Sequence, residues 1–361
     1  MLGLKISFCT VAMNRLHHLR QTLPVNIADN LSYGNLEFVI LDYNSNDGLQ
    51  DWIRETMHPQ IKSGILKFFR TDEPKLFNRS HSRNMAFRLG KGDILCNIDA
   101  DNFTGPGFAD YINKIMQNSP DTFITPSFHI RDIIGKLAIR RADFWGYRGY
   151  NEEITGYGFE DIELYKRLTK YAKNQHQFSD KQFTRAIYHS NEERVSNEFI
   201  SVNSAHIFVR YINPDSSELY FLYKDGSFEF ATFIDKQHLP VIMLERAQLD
   251  NMVALERPFQ SGFWKYGDQF IQLFKPGTKG SKLKFSNNRK YIYNNRLGIK
   301  LYEITSTELK NEMILLKTEV ENRLGLSALL SKPLHEINSG GFGLGSVIRN
   351  FQFPVKLEKC L

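Results

Sequence analysis

Cysteine is scarce in this 361-residue chain: Cys9, Cys96 and Cys360 are widely separated and odd in number. That leaves neither a disulfide framework nor a zinc cluster to hold the fold, and it points to a reducing compartment. Long apolar runs are also missing. The longest, such as residues 239–244, are far too short to span a bilayer, and Lys5 interrupts the opening segment before a signal-peptide core can form. The expectation is a cytoplasmic protein. Blocks of like charge are absent as well: the net charge is +6, yet no five like charges run together, so a nucleic-acid footprint is not supported and no nucleic-acid partner is expected. The same excess suits a phosphate-bearing small ligand or peripheral association with the anionic inner face of a membrane. No repeat of fixed period is present, and residues 7–15 contain no glycine.

With 42% apolar and 24% charged residues the chain has the composition of an ordinary globular protein, and its length calls for more than one core. The first half alternates short apolar runs with polar helical segments, the pattern of an α/β sheet covered on both faces. Strands are expected at residues 5–10, 36–41, 65–69, 94–98 and 122–126, and helices at 16–28, 48–55, 80–89 and 108–117. After residue 205 the texture changes. ELYFLY and FEFATF flank a Lys224-Asp225-Gly226-Ser227 turn as a hairpin, and QFIQLF, KLKFS and KYIYNN continue a β-rich stretch. Thr305 and Glu308 form a capping-box pattern opening a helix to about Leu324. The glycines at 340, 341, 343 and 345 read as a flexible loop. Two domains follow: 1–205, α/β, and 206–361, smaller and β-rich with a C-terminal helix.

Ligands of open α/β sheets collect at the carboxyl ends of the strands, and in this chain those positions are acidic. The strand expected at 94–98 ends in Asp99-Ala100-Asp101, two carboxylates one residue apart that suit a hard divalent cation; capping and turn duties are the plain alternative. In Thr155-Gly156-Tyr157-Gly158-Phe159-Glu160-Asp161, glycines lead into adjacent acids at a helix start. This is either a well-capped helix or a loop delivering a general base. Glu160 and Asp161 should point to different sides, so only one would serve. His189 ends an expected strand at 183–188 and is either structural or a further metal ligand beside Asp101.

Five pieces in order, residues 6–15, LDYNSNDG at 41–48, SHSRNMA at 80–86, NIDADN at 97–102 and GYNEEITGYGFEDIEL at 149–164, resemble the GT-A glycosyltransferases of family-two type. The last piece is similar to the motif region of β-1,4-galactosyltransferases, chondroitin-polymerase-like enzymes and polypeptide GalNAc-transferases. The resemblance implies a GT-A nucleotide-diphospho-sugar transferase fold, a mixed and mostly parallel sheet flanked by helices. It implies a UDP-sugar donor of galactose type, a glycan or lipid-linked glycan acceptor, and a role in surface-polysaccharide assembly. By the same resemblance Thr10, Asn14, Arg15, Asp42, Arg83, Asn84, Asp99, Tyr157 and Gly158 bind the donor. Asp101, with Asp99 and His189, holds Mn2+ or Mg2+. Asp161 is the base of an inverting transfer, helped by Glu160. Two departures stand out: Asp42-Tyr43-Asn44-Ser45 lacks the family's second acid and glycine, and Thr155-Gly156-Tyr157-Gly158 replaces a Trp-Gly. Rival readings are a non-catalytic nucleotide-sugar-binding subunit, against which an intact base argues, and a sugar nucleotidyltransferase, which would need a glycine-rich phosphate loop after the first strand.

Overall fold

The computed structural model describes residues 3–127, 131–235, 253–255 and 258–359; Cys360 and the apolar run at 239–244 lie outside them. Two compact units emerge, residues Met1–His189 with Gly325–Leu361, and Ser190–Leu324 between them. The first unit runs β1 (Ile6–Ala12), α1 (Leu16–Asn30), β2 (Leu36–Tyr43), α2 (Leu49–Thr56), α3 (His58–Lys62), β3 (Leu66–Thr71), α4 (Arg79–Leu89), β4 (Ile94–Asn97), α5 (Phe108–Asn118), β5 (Thr122–Pro126), β6 (Leu137–Arg140), α6 (Arg141–Gly146), α7 (Glu160–Lys170) and β7 (Asn174–Phe178). β2 is buried along its whole length and β1 at all but one position, because helices cover both faces of the sheet. β1, β2, β3 and β4 pair in parallel, so their carboxyl ends lie along one rim. β6 runs antiparallel beside β4.

The second unit opens with short helices α8 (Asn191–Val195) and α9 (Phe199–Asn203). An antiparallel meander follows: β8 (Ser204–Asn213), β9 (Ser216–Tyr223), β10 (Ser227–Asp235), β11 (Val253–Leu255), β12 (Gln260–Gly267), β13 (Phe270–Phe274), β14 (Ser281–Phe285), β15 (Tyr291–Asn294) and β16 (Ile299–Glu303). β16 pairs with β8 and β9 pairs with β10, so eight strands close into a ring with β11 as an extra edge on β10. Phe208, Leu222, Phe228, Trp264, Ile271 and Leu301 fill its interior. α10 (Thr307–Ser331) begins one residue later than the Thr305 pattern suggests, because the Ser306 hydroxyl accepts from the Leu309 N–H.

The chain then returns to the first sheet, which moves the junction expected at 205/206. β17 (Gly345–Arg349) pairs antiparallel with β3, and β18 (Phe353–Leu357) closes the edge, giving the order β18-β17-β3-β2-β1-β4-β6-β5-β7. The glycines before β17 form a packed turn in place of the expected flexible loop. Gly343, at φ 56°, lies so close to α4 that a Cβ would sit 2.6 Å from Met85 N. The fold is therefore a GT-A fold with a mixed, mostly parallel sheet, a barrel-like β-rich region and a helix following it. Among the described residues no helix is long and apolar enough to cross a membrane.

Candidate active site

Arg83 is the hub of the site. It lies on α4, one turn past the Asn78 cap, whose side chain accepts from the His81 N–H. Its guanidinium donates to three carboxylates: Nη1 to Glu160 Oε1 at 2.9 Å and to Asp161 Oδ1 at 2.8 Å, and Nη2 to Asp99 Oδ1 at 3.0 Å. Glu160 and Asp161 therefore converge on one nitrogen, contrary to the expectation that they diverge, because both sit in the first turn of α7 where the backbone has just changed direction. Phe159 makes that change at φ 74°, after Gly156 and Gly158 at 72° and 89°. A phenylalanine in the left-handed region is a strained position of the kind found where a site is held rigid.

Three carboxylates around one cation leave the cluster anionic. Burial pushes the Asp161 carboxyl up to about 7, with Glu160 and Asp99 adding to the rise against the pull of Arg83. Asp99 is held below the usual carboxylate range, its burial outweighed by Arg83 and by the Asn97 amide at 2.9 Å. The environment splits neighbouring acids into one that stays ionised and one poised near neutrality. Gly135 makes room for the pair: a Cβ there would meet Asp99 Oδ2 at 2.5 Å and Arg83 Nη2 at 2.6 Å.

Asp101 takes a different partner. Its Oδ2 lies 2.8 Å from Nε2 of His189, while its Oδ1 accepts from Asn102 Nδ2 at 2.9 Å. Residues 183–188 form no regular strand; a short backbone pairing brings His189 in, with Phe103 N–H donating to Arg185 O, Ile187 N–H to Asp101 O, and a single bridge between Asn102 and Ala186. Buried Lys136 locks the same two segments, Nζ donating to Phe103 O at 2.9 Å and Phe183 O at 2.7 Å. Burial brings its pKa down to about 8. Nδ1 of His189 and Oδ1 of Asn102 are buried without a hydrogen-bond partner. An imidazole touching a carboxylate, with unspent oxygens alongside, is a donor set that fits a borderline or hard divalent ion.

The residues expected around a nucleotide are distributed as follows. Thr10 is buried on β1. Asn14, at φ 57°, and Arg15 form the turn from β1 into α1; Asn14 N–H donates to Ser45 Oγ and its Oδ1 accepts from Asn46 N–H, which joins the loops after β1 and β2. Asp42 is fully buried at the end of β2, accepting from Ser45 N–H at 2.8 Å and from Arg70 Nη1 at 2.5 Å. Both oxygens are engaged within the protein. Asn84, expected beside the donor, lies under the segment at 149–152: its Oδ1 accepts from Tyr150 N–H and its Nδ2 donates to Tyr150 O and Glu152 Oε1. It positions Tyr150, whose ring lies beneath Arg83 at 5.6 Å. Tyr157 carries the Arg79 guanidinium on its ring at 4.4 Å, and Arg79 also donates to Gly156 O. Trp145 packs on Phe342 and Tyr147 on Tyr171. Sequence reasoning missed Lys136 and Gly135, since a lone lysine in a loop and a lone glycine carry no pattern; Trp145, Tyr147 and Tyr150, which the sequence offers either to the acceptor side or to ordinary packing, all have packing partners within the protein.

The profile of the family described as "Glycosyl transferase family 2" matches residues 7–188, half of the chain and the whole site except His189. The chain belongs to this family. Its fold is of GT-A type, and the acids after β4 and at the start of α7 lie within the matched region. No curated protein matches the chain. Among solved structures, the chain is similar to the mannosyltransferase PcManGT from Pyrobaculum calidifontis in complex with GDP-Man and Mn2+, at 17% identity over 52% of this chain and 58% of that one, TM-score 0.43. It is also similar to S. aureus TarS 1-349 in complex with UDP, at 16% identity, 52% and 62% coverage and TM-score 0.42. A third is glucosyl-3-phosphoglycerate synthase from Mycobacterium tuberculosis in complex with Mn2+, UDP and phosphoglyceric acid, at 15% identity, 48% and 68% coverage and TM-score 0.37. The chain spans less than two thirds of the first two.

Proposed function

We propose that the enzyme transfers a hexose or N-acetylhexosamine, galactose type favoured, from a UDP-sugar to a hydroxyl of a glycan or lipid-linked glycan, with inversion, in surface-polysaccharide assembly at the cytoplasmic side of a membrane. The observation that carries the chemical part is Asp161, a buried carboxyl poised at about 7 at the start of α7. In this reading an Asp161 oxygen takes the proton of the acceptor hydroxyl as that oxygen attacks the anomeric carbon and the bond to the diphosphate breaks. Arg83 and Glu160 fix the carboxyl in place; Tyr150 fixes Arg83. Thr10, Asn14, Arg15 and Asp42 floor the nucleotide pocket, and Tyr157 with Gly158 stands on the sugar side, the Tyr157 ring holding the Arg79 guanidinium there.

The donor set supports a divalent cation: Asp101 meets Nε2 of His189, while Nδ1 of His189 and Oδ1 of Asn102 are buried beside them without a hydrogen-bond partner. Asp101, Asp99 and His189 would hold Mn2+ or Mg2+, which when bound supplies Lewis-acid stabilisation of the leaving diphosphate. The deciding experiment is calorimetric titration of UDP, GDP and a panel of UDP-sugars with Mn2+ and with EDTA. Metal-dependent UDP binding that tightens for one sugar, and its loss in Asp101→Ala, is the expected result. Equal UDP binding with and without metal removes the metal site from the reading, and binding of no nucleotide at all removes the donor assignment.

A further inference from the structure

Strand alternation gathers charge that the linear sequence leaves dispersed. The meander from β12 to β16, residues 260–303, holds seven lysines and two arginines against Asp268 and Glu303, a net of +7 where the whole chain carries +6. Glu303 is itself in contact with His206 at 2.6 Å. Trp264, Ile271, Leu283, Ile292 and Leu301 point into the closed ring. The residues alternating with them therefore stand on its outer wall, and Lys265, Lys282, Lys284 and Lys300 are exposed there.

Aromatic side chains share that wall. Lys282 Nζ sits over Phe270 at 4.8 Å, and Lys300 Nζ over Tyr291 at 4.1 Å and Tyr302 at 4.7 Å. The rings of Tyr211, Tyr302 and Tyr291 follow one another across β8, β16 and β15. Phe263 is 70% exposed on β12. At the end of the ring where β15 turns into β16, Leu297 is 53% exposed beside Arg296. The register pairs Tyr302 with Val209, which brings Tyr211 and Ile212, 68% and 47% exposed, to that same end.

We propose that this outer wall is a docking surface for an anionic lipid bilayer. The inference is independent of the catalytic assignment. Three features favour a bilayer over a soluble polyanion. The surface is the convex outside of a barrel, which suits a flat partner. Its cations are mainly lysines, point charges that respond to a diffuse surface potential and lack the fork with which arginine grips one phosphate. The faces of Tyr291, Tyr302 and Phe270 are occupied by lysine ammonium groups, so they are not offered to a sugar ring or a base. What points outward is hydroxyl edges and aliphatic or aromatic tips, the composition of an interfacial belt. A glycan would also want carboxylates to accept from its hydroxyls, but Asp268 lies in the turn between β12 and β13, and Glu303, alternating inward beside Leu301, is engaged by His206.

The test is co-sedimentation of the full chain with phosphatidylcholine vesicles, with and without about one-third phosphatidylserine, at about 0.1 and 0.5 M salt. The expected result is binding to the anionic vesicles alone, weakened at least tenfold by the higher salt. The Lys282→Glu/Lys284→Glu/Lys300→Glu variant should lose at least tenfold in partitioning while keeping its melting temperature. Leu297→Glu, on an exposed turn away from any core, should weaken binding as well and serves as the readout if the triple variant fails to fold. Equal binding to neutral vesicles, no binding to anionic ones, or tighter binding of soluble heparin or duplex DNA than of vesicles overturns the proposal.

Discussion

Asp161 holds its proton up to about pH 7 because it is buried, with Arg83 from α4 pulling the other way and Glu160 and Asp99 reinforcing the rise, while the buried hydroxyls of Tyr150 and Tyr165 complete its surroundings. A base must be unprotonated to act, so kcat/KM is expected to fall below about pH 7 with unit slope, and the Asp161→Asn variant should lose that limb with at least ~100-fold of the rate while retaining UDP binding. A pH–rate profile flat from 5 to 8, or full activity in the variant, removes Asp161 from the base role. Stability runs the opposite way. The folded state holds this proton more tightly than the unfolded chain, whose carboxyl titrates near 3.8, so the group's contribution is greatest below that value and is lost as pH rises towards 7. At pH 8 Asp161→Asn should therefore melt no lower than the parent protein. Gly135→Ala tests the space beside the ion pair: its Cβ would strike Asp99 and Arg83 together. A loss of about 1–3 kcal/mol of stability is expected, with activity reduced further than the fold, measured by denaturant unfolding and initial rates.

Elements explain what the residues could not announce. Strands β1 to β5 and helices α1, α2, α4 and α5 were legible from the chain, because strands buried on both faces between amphipathic helices leave long apolar runs and alternating helical segments. Short or polar strands were not: β7 reads NQHQF, and β17 buries only Val347. Of the site, the acids Asp99, Asp101, Glu160 and Asp161 and the imidazole of His189 were legible as residue types in motifs. That Asp101 meets His189 depends on a backbone pairing of 101–103 with 185–187, and that Glu160 and Asp161 meet one guanidinium depends on Phe159 at positive φ; neither leaves a periodic trace. The turn before β17 shows the limit most plainly, since glycines mean either looseness or close approach. Here they mean close approach: Arg88 donates to Phe342 O, Gly343 N–H donates to Glu152, and the ring of His81 meets Leu344 O. Gly343→Ala, which forces a methyl against the α4 backbone at a left-handed residue, should cost about 2–3 kcal/mol. It should also impair nucleotide binding, because α4 carries Arg83. A variant as stable as the parent would show that the turn can yield.

At the scale of the molecule, the barrel unit interrupts the transferase unit in sequence, since the chain leaves it after His189 and comes back at Gly325. A segment inserted in this way folds by itself only if it closes its own hydrogen-bond ladder and owns its core. The ring has no open edge between β8 and β16, and its interior cluster draws entirely on residues 205–301. α10 is tied to it by one buried cation: Lys317 Nζ lies 3.1 Å from Glu229 on β10 and 2.7 Å from Glu321, and sits 3.9 Å over the Phe259 ring. Residues 190–331 produced alone should therefore give a β-rich protein with a single cooperative unfolding transition. Lys317→Ala in that fragment should destabilise it by about 1–3 kcal/mol, because Glu229 and Glu321, each about one-third exposed, lose their shared counter-charge while Glu229 keeps the Tyr223 hydroxyl. Circular dichroism melts of the two fragments decide the matter: a fragment without a cooperative transition would mean that the barrel needs the transferase unit to fold, and an unaltered Lys317→Ala melt would mean that α10 is held by its apolar face.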